Sequence, residues 1–528
     1  MNIQLYDTTL RDGAGQAGIS FSVEDKLKII RRLDDLGISY IEGGWPGANP
    51  KDAEFFVRAQ KLHLNQARLV VFGSTRRAHT EAANDPNLRA LLDTGAEIFT
   101  LVGKSCDQHV IQVLNTTLDE NLLMIADSIR YLKAAGKTVF FDSEHFFDGF
   151  KCNAEYTLRT IEVAAEAGAD CAVLCDTNGG CLPAEITTAV EAAKRIGVPL
   201  GIHVHNDGDL AVANTLAAVQ AGVTQVQGTI NGYGERCGNA NLCSIIPVLK
   251  LKMNIDCVTD EQLSRLTEVS HYVSELANLS PDASLPYVGA SAFTHKAGLH
   301  ISGMIKYGES YEHINPELVG NRSHILVSEL SGMSAITYKA RELKLEIPEG
   351  LQAKAVLERI KTMESQGFQY EDAEASFELL LRRIQPDYEP PFELVDFMVV
   401  VERHRRLSST LQQEDMLSEA MVKVKVSGEI FHTAAEGNGP VNALDAALRK
   451  ALLQFYPSLS VVMLVDYKVR ILDESYGTES RVRVLMESSD GEHDWHTVGS
   501  STNIIEASWL ALADSLEYWL LRKGKEAE

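Results

Sequence analysis

The chain has 528 residues, 45% hydrophobic and 23% charged, an ordinary globular composition with length for roughly two to four domains. Its 49 basic and 73 acidic residues give a formal net charge of −24, which argues against nucleic acid or an anionic membrane surface as partner, since both need basic patches. No run of about 18 apolar residues is present to span a bilayer, and MNIQLYDTTLRDG lacks the basic-then-apolar pattern of an export signal.

Eight cysteines lie in the first half, without a CxxC, several inside apolar runs. That usage suggests free thiols in a reducing, cytoplasmic compartment.

The first 250 residues keep one rhythm, a short apolar run, a polar turn, then an amphipathic helical stretch. The runs, in chain order, are IQLYDTTL, SYIEGGWP, RLVVFGS, EIFTLVG, TVFFDSEH, CAVLCDT, PLGIHVHN and TQVQGTING. Between them come VEDKLKIIRRLDDLG, NLLMIADSIRYLKAAG and AEYTLRTIEVAAEAG, each closing on a glycine suited to a left-handed helix cap. Strands alternating with helices predict parallel pairing, and eight such units predict an α/β fold of the closed (β/α)₈ TIM-barrel type. An open doubly wound sheet is the alternative.

After residue 250 the rhythm stops. Residues 280–303 are rich in small and turn residues, helical sequence follows (GLQAKAVLERIKTMESQG), and QPDYEPP at 385–391 marks a boundary. From 392 onward MVKVKVSG, MLVDYKVRIL and RVRVLME read as strands, with helices after GNGPVNALDAAL and over NIIEASWLALADSLEYWLLRK. The expected division is a catalytic barrel over 1–280, linker subdomains over 281–391 and an α+β domain over 392–528.

A barrel gathers its chemistry on the loops at the C-terminal ends of its strands. There the sequence supplies Arg11 and Asp12, Glu42, Glu144 and His145, Asp176, Thr177 and Asn178. The last two strands add His203, His205 and Asn206, then Glu235, Arg236 and Asn239. His203 and His205 stand two apart, so a strand projects both imidazoles from one face. Taken singly, each of these residues is more often structural. Together, Asp12 and the two histidines form a carboxylate–imidazole set suited to Mg²⁺, Mn²⁺ or Zn²⁺, with the Asn239 amide as a fourth ligand. Two open positions would let a 2-oxo acid chelate, with Arg11 facing the charge that grows on the ketone oxygen.

DTTLRDG, HVHND and GERCGN resemble the DRE-TIM metallolyase superfamily, in particular its Claisen-condensing branch of 2-isopropylmalate, homocitrate and citramalate synthases. YDTTLRDGAGQAGISFSVEDKL, YIEGGWPGANPKD and YEHINPELVGN look most like one group of citramalate synthases in that branch. The resemblance covers the whole chain and implies a barrel, helical linker subdomains and a C-terminal regulatory domain of the 2-isopropylmalate synthase type. It implies condensation of acetyl-CoA with a 2-oxo acid, here pyruvate, followed by thioester hydrolysis. By resemblance Asp12, His203, His205 and Asn239 hold the divalent metal, Arg11 polarises the ketone, Thr177 binds the oxo acid carboxylate and Glu144 lies near the acetyl-CoA methyl. His300 of AGLHISG and Tyr311 of YEHINP match linker residues that reach the site from the partner subunit, which requires a homodimer. A thioester methyl is a weak carbon acid, so a positioned histidine is a sensible base, and His295 competes with His300 for that role.

Two positions depart from the family: Ala14 stands where Glu is usual, so a carboxylate role there is lost or is taken by Gln16 or Glu42, and Ser302 replaces an Asp. The branch's other synthases are rivals. A retro-aldol acyl-CoA lyase shares only the barrel, and a non-catalytic binding protein would have no use for an open metal site. The small-residue loops EGNGPVNALDAAL and GSSTNIIEASWLALADSL each open a helix, where free N–H groups suit the carboxylate of an amino-acid effector, expected to be isoleucine.

Overall fold

β1 (Gln4–Asp7), β2 (Tyr40–Gly44), β3 (Arg68–Ser74), β4 (Ile98–Lys104), β5 (Thr138–Glu144), β6 (Cys171–Asp176), β7 (Leu200–Val204) and β8 (Gln225–Gly228) form a closed parallel barrel in chain order. β1 closes the ring, pairing Tyr6 with Tyr40 of β2 on one side and with Gln227 of β8 on the other. That pairing excludes the open sheet. The structure, a computed structural model, describes residues 2–326, 333–343, 345, 351–385, 388–403, 416–472 and 480–526. Pro386 and Asp387 of the expected QPDYEPP boundary lie outside them. Two compact units result, Met1–Phe293 with Glu312–Ser323, and Thr294–Tyr311 with His324–Glu528.

Strand alternation sends Tyr6, Tyr40, Val70, Ile98, Phe140 and Val173 into one interior cluster. The opposite faces pack against the helix layer through residues such as Ile41, Val71, Phe99 and Phe141. Helix α1 (Val23–Asp35) shows how local sequence sets the layer. Ser22 and Asp25 form a reciprocal capping box, and Leu27, Ile30 and Leu33 recur on the buried face. The helix ends at Gly37, whose φ of +91° lets the Ile38 N–H return to the Leu33 carbonyl at 3.1 Å.

A buried ion pair braces the loop after β2. Lys26 of α1 donates to the Gly43 carbonyl at 2.9 Å and to Asp52 Oδ1 at 2.6 Å. Asp52, on helix α2 (Pro50–Ala59), accepts the Trp45 N–H through its other oxygen at 2.9 Å. Gly44, at φ +145°, admits no side chain because a Cβ would fall 2.3 Å from the Asp52 carboxyl carbon.

In the second unit β9 (Thr294–His295) pairs with β10 (His324–Ile325), and helix Gly298–Lys306 follows β9. β11 (Glu393–Arg403), β12 (Met416–Val426) and β13 (Glu429–Gly437) form an antiparallel sheet followed by helix Pro440–Leu452. β14 (Met463–Ile471), β15 (Val482–Ser489) and β16 (Asp494–Ser501) repeat the plan before helix Ile504–Glu526. The alternation in MVKVKVSG is real: Ala420, Val422, Val424 and Val426 are buried beneath the helices. Among the described residues no helix is long and apolar enough to cross a membrane. All eight cysteines are free.

Removing Lys26 strands the Asp52 carboxylate in the interior, so Lys26→Met should destabilise the barrel by about 3–5 kcal/mol. Calorimetry should record a lowered first transition; an unchanged one would contradict the brace.

Candidate metal centre at the barrel mouth

A cavity of about 270 Å³ opens at the C-terminal ends of the barrel strands, and Arg11, Asp12, Glu144, Thr177, His203 and His205 all line it. The turn after β1 sets the first two. The Thr8 carbonyl accepts from the N–H groups of Arg11, Asp12 and Gly13 at 2.9–3.1 Å, so neighbouring side chains leave one tight turn. Asp7 fixes that turn by accepting from the Thr9 N–H and hydroxyl, and burial pushes its own carboxyl up to about 7.

His203 lies on β7, and His205 follows in a bridge whose antiparallel partner is Asn239. The Nε2 atom of His203 is 3.2 Å from Asp12 Oδ2, that of His205 is 3.8 Å from it, and the two nitrogens are 3.3 Å apart. Both rings are more than nine-tenths buried. Two imidazole nitrogens and a carboxylate oxygen so close, shielded from water, form an electron-rich nest that one cation would satisfy. Among the described residues, His205 Nδ1 and the buried Asn239 Oδ1 make no hydrogen bond; Asn239, joined to His205 by the bridge, lines a neighbouring cavity rather than this one. The donor set fits a divalent cation.

The electrostatics are uneven across this group. Burial alone would raise Asp12, but the Arg11 guanidinium and then His203 outweigh it and hold the carboxyl far below its usual range. Burial likewise opposes charge on His203, yet its hydrogen bond to Asp12 and the Asp12 charge raise it above its ordinary value. His205 is lowered to about 4 by burial and by neighbouring His203.

Arg11 is held from three sides. Its Nε donates to Glu42 Oε1 at 2.5 Å, its Nη1 lies 3.6 Å from Asp12, and its guanidinium sits 3.9 Å from the Phe72 ring centre. Glu42 in turn accepts from the Tyr6 hydroxyl at 2.6 Å. Glu144 pairs with Lys104 at 2.6 Å. The Thr177 hydroxyl oxygen accepts the His145 N–H at 2.9 Å, from a residue in the left-handed region at φ +57°.

Several rim residues expected from sequence have structural employment. Glu42 is fully buried beneath Arg11 rather than on the rim, because its strand faces inward there. His145 and Asn178 both bond Asp148, Asp176 accepts the Cys181 N–H, Asn206 accepts the Ala211 N–H and Arg236 pairs with Asp207. Gln16 accepts the Gly234 N–H at 3.4 Å. Glu235 lines the cavity. His300 and Tyr311 belong to the second unit, where their rings stack with centroids 4.2 Å apart, and His295 is buried in β9. Sequence reasoning missed Trp45, Phe72, Cys175 and Asp142, which also line the cavity, and Lys104 and Gln227 behind it. The one signal for Asp142 was its place two residues before Glu144 on an inward face.

The HMGL-like family model matches residues 2–273, the homocitrate synthase post-HMGL domain-like model matches 287–367 and the LeuA allosteric (dimerisation) domain matches 371–520. An (R)-citramalate synthase of Geobacter sulfurreducens is 53% identical over 100% of this chain and 99% of that protein. One from Aquifex aeolicus is 50% identical over 99% of each. A 2-isopropylmalate synthase of Methanocaldococcus jannaschii is 30% identical over 99% of this chain and 96% of its own length.

Because His203 keeps its proton to a raised pH, a cation entering the centre must displace it, whereas His205 is already neutral at pH 7. Mn²⁺ affinity should therefore climb as pH rises through neutrality. Calorimetry in buffers of different ionisation heat should report release of up to one proton at pH 7; no release and a flat pH profile would contradict the assignment.

Proposed function

The chain belongs to the HMGL-like family and, over its whole length, to the citramalate synthases within it; from that premise we propose that it joins acetyl-CoA to pyruvate and hydrolyses the thioester, releasing (R)-citramalate and CoA. The observation that carries the chemistry is the convergence of Asp12, His203 and His205 beside a fixed Arg11 in one cavity. The choice of pyruvate rests on kinship, 53% to a citramalate synthase against 30% to a 2-isopropylmalate synthase.

Asp12, His203, His205 and Asn239 would hold the cation, Mg²⁺ or Mn²⁺ before Zn²⁺. When bound it would supply Lewis-acid polarisation of the pyruvate ketone. The chain's own groups do the rest. Arg11 faces the oxygen that gains negative charge as the new C–C bond forms, pre-aimed by Glu42 and Phe72. Thr177 accepts from the His145 N–H, so its own O–H is free to donate to the pyruvate carboxylate. Glu144 borders the position of the acetyl methyl. His300, with Tyr311 stacked on it, takes or relays the methyl proton, delivered from the partner subunit of a homodimer. Water then cleaves the thioester, and the thiol leaves with a proton.

We read residues 1–280 as the catalytic barrel, 281–391 as linker subdomains and 392–528 as a regulatory and dimerising domain. Isoleucine is the proposed effector, since citramalate leads toward it, and the loops opening helices Pro440–Leu452 and Ile504–Glu526 suit its carboxylate. The free cysteines suit the cytoplasm.

Thiol release from acetyl-CoA with a panel of 2-oxo acids tests the reaction. Pyruvate should exceed 2-oxoisovalerate in kcat/KM by roughly tenfold or more, and Arg11→Ala should cost about 10²–10³-fold in kcat. Preference for 2-oxoisovalerate or 2-oxoglutarate would replace the substrate and keep the chemistry. Isoleucine should raise KM or lower kcat with a coupling of about 1–3 kcal/mol; indifference to isoleucine, leucine and valine would leave only dimerisation.

A further inference from the structure

The geometry assigns Gln227 as the positioning residue that sets the tautomer of His203, and Asp142 as the group that sets Gln227. The assignment rests on the metal-dependent reading above and extends it to residues behind the ligands. Gln227 lies on β8 with its side chain wholly buried inside the barrel. Its Oε1 is 3.0 Å from His203 Nδ1, and its Nε2 donates to Asp142 Oδ1 at 3.2 Å. An amide is directional: one end only accepts and the other only donates. Asp142 Oδ1 accepts the N–H end, as the carbonyl oxygen of the acid or as an oxygen of the carboxylate, so the carbonyl end turns to His203. There it can only accept, which holds a ring proton on Nδ1 and makes Nε2, whose own proton bonds Asp12 until a cation displaces it, the nitrogen a cation takes. With the amide reversed, the proton would sit on Nε2, where a cation needs the lone pair. Asp142 thus acts on the ligand through one intervening amide. Both residues reach this place by strand alternation, from β5 and β8.

Mn²⁺ titration of the metal-stripped full chain, followed by electron paramagnetic resonance, measures the effect without turnover. Gln227→Met, similar in size but without the carbonyl, should weaken Mn²⁺ binding by about 10–100-fold. Gln227→Glu restores an acceptor and should stay within a few-fold of the parent. Asp142→Leu should weaken binding in the same direction, and it carries the test should Gln227→Met fail to fold. Parent-like affinity in the folded Met variant, or equal losses in the Met and Glu variants, would overturn the assignment while leaving the metal centre standing. A parent chain that binds no Mn²⁺ would overturn the metal reading and this inference with it.

Discussion

A charge taken out of water must meet a countercharge or a hydrogen bond where it lands, and at this barrel mouth each buried charge is answered by the next. Glu42 answers Arg11, Arg11 and His203 answer Asp12, and Gln227 links His203 to Asp142. The chain of contacts joins the turn after β1 to β2, β5, β7 and β8, so the site grows out of the barrel's inner face. A change of one residue in register on any of those strands would turn a member outward and leave its partner buried and unpaired.

The same constraint separates groups of one chemical kind. Asp12 stays ionised because Arg11 and His203 face it, whereas burial and the nearby Glu42 charge push Asp142 up to about 7. The two imidazoles diverge likewise, His203 upward beside Asp12 and His205 downward through burial and its neighbour His203. Acid, base and ligand roles can then coexist in a cavity of about 270 Å³.

The barrel was legible in the sequence because strand alternation, helix caps and glycine stops agree along the first 250 residues, and such local signals need no tertiary information. Asp12, His203 and His205 were legible for a similar reason, since two lie two apart at the end of β7 and the third follows β1 in the same barrel. Glu42 was misplaced on the rim because alternation tells inward from outward but not how deep an inward residue lies. Asp142 and Gln227 sit in runs that read as plain strand, and their partnership spans 85 residues of chain. Lys26 and Asp52 carry no local sign of pairing. His300 and Tyr311 came from family resemblance alone, and they lie in the second unit.

Residues 393–526 of the second unit have a simpler logic, two three-stranded sheets each followed by a helix, and the LeuA allosteric (dimerisation) domain matches 371–520. The regulatory role proposed for them presupposes the chemistry of the barrel, and that chemistry stands on the proposed metal centre. Anomalous diffraction from crystals of the full chain soaked in Mn²⁺ tests the centre most directly. The account predicts a single strong peak at bonding distance from the Asp12 carboxylate and from Nε2 of both His203 and His205. Saturating Mn²⁺ with no peak there, or with peaks only elsewhere, would contradict it.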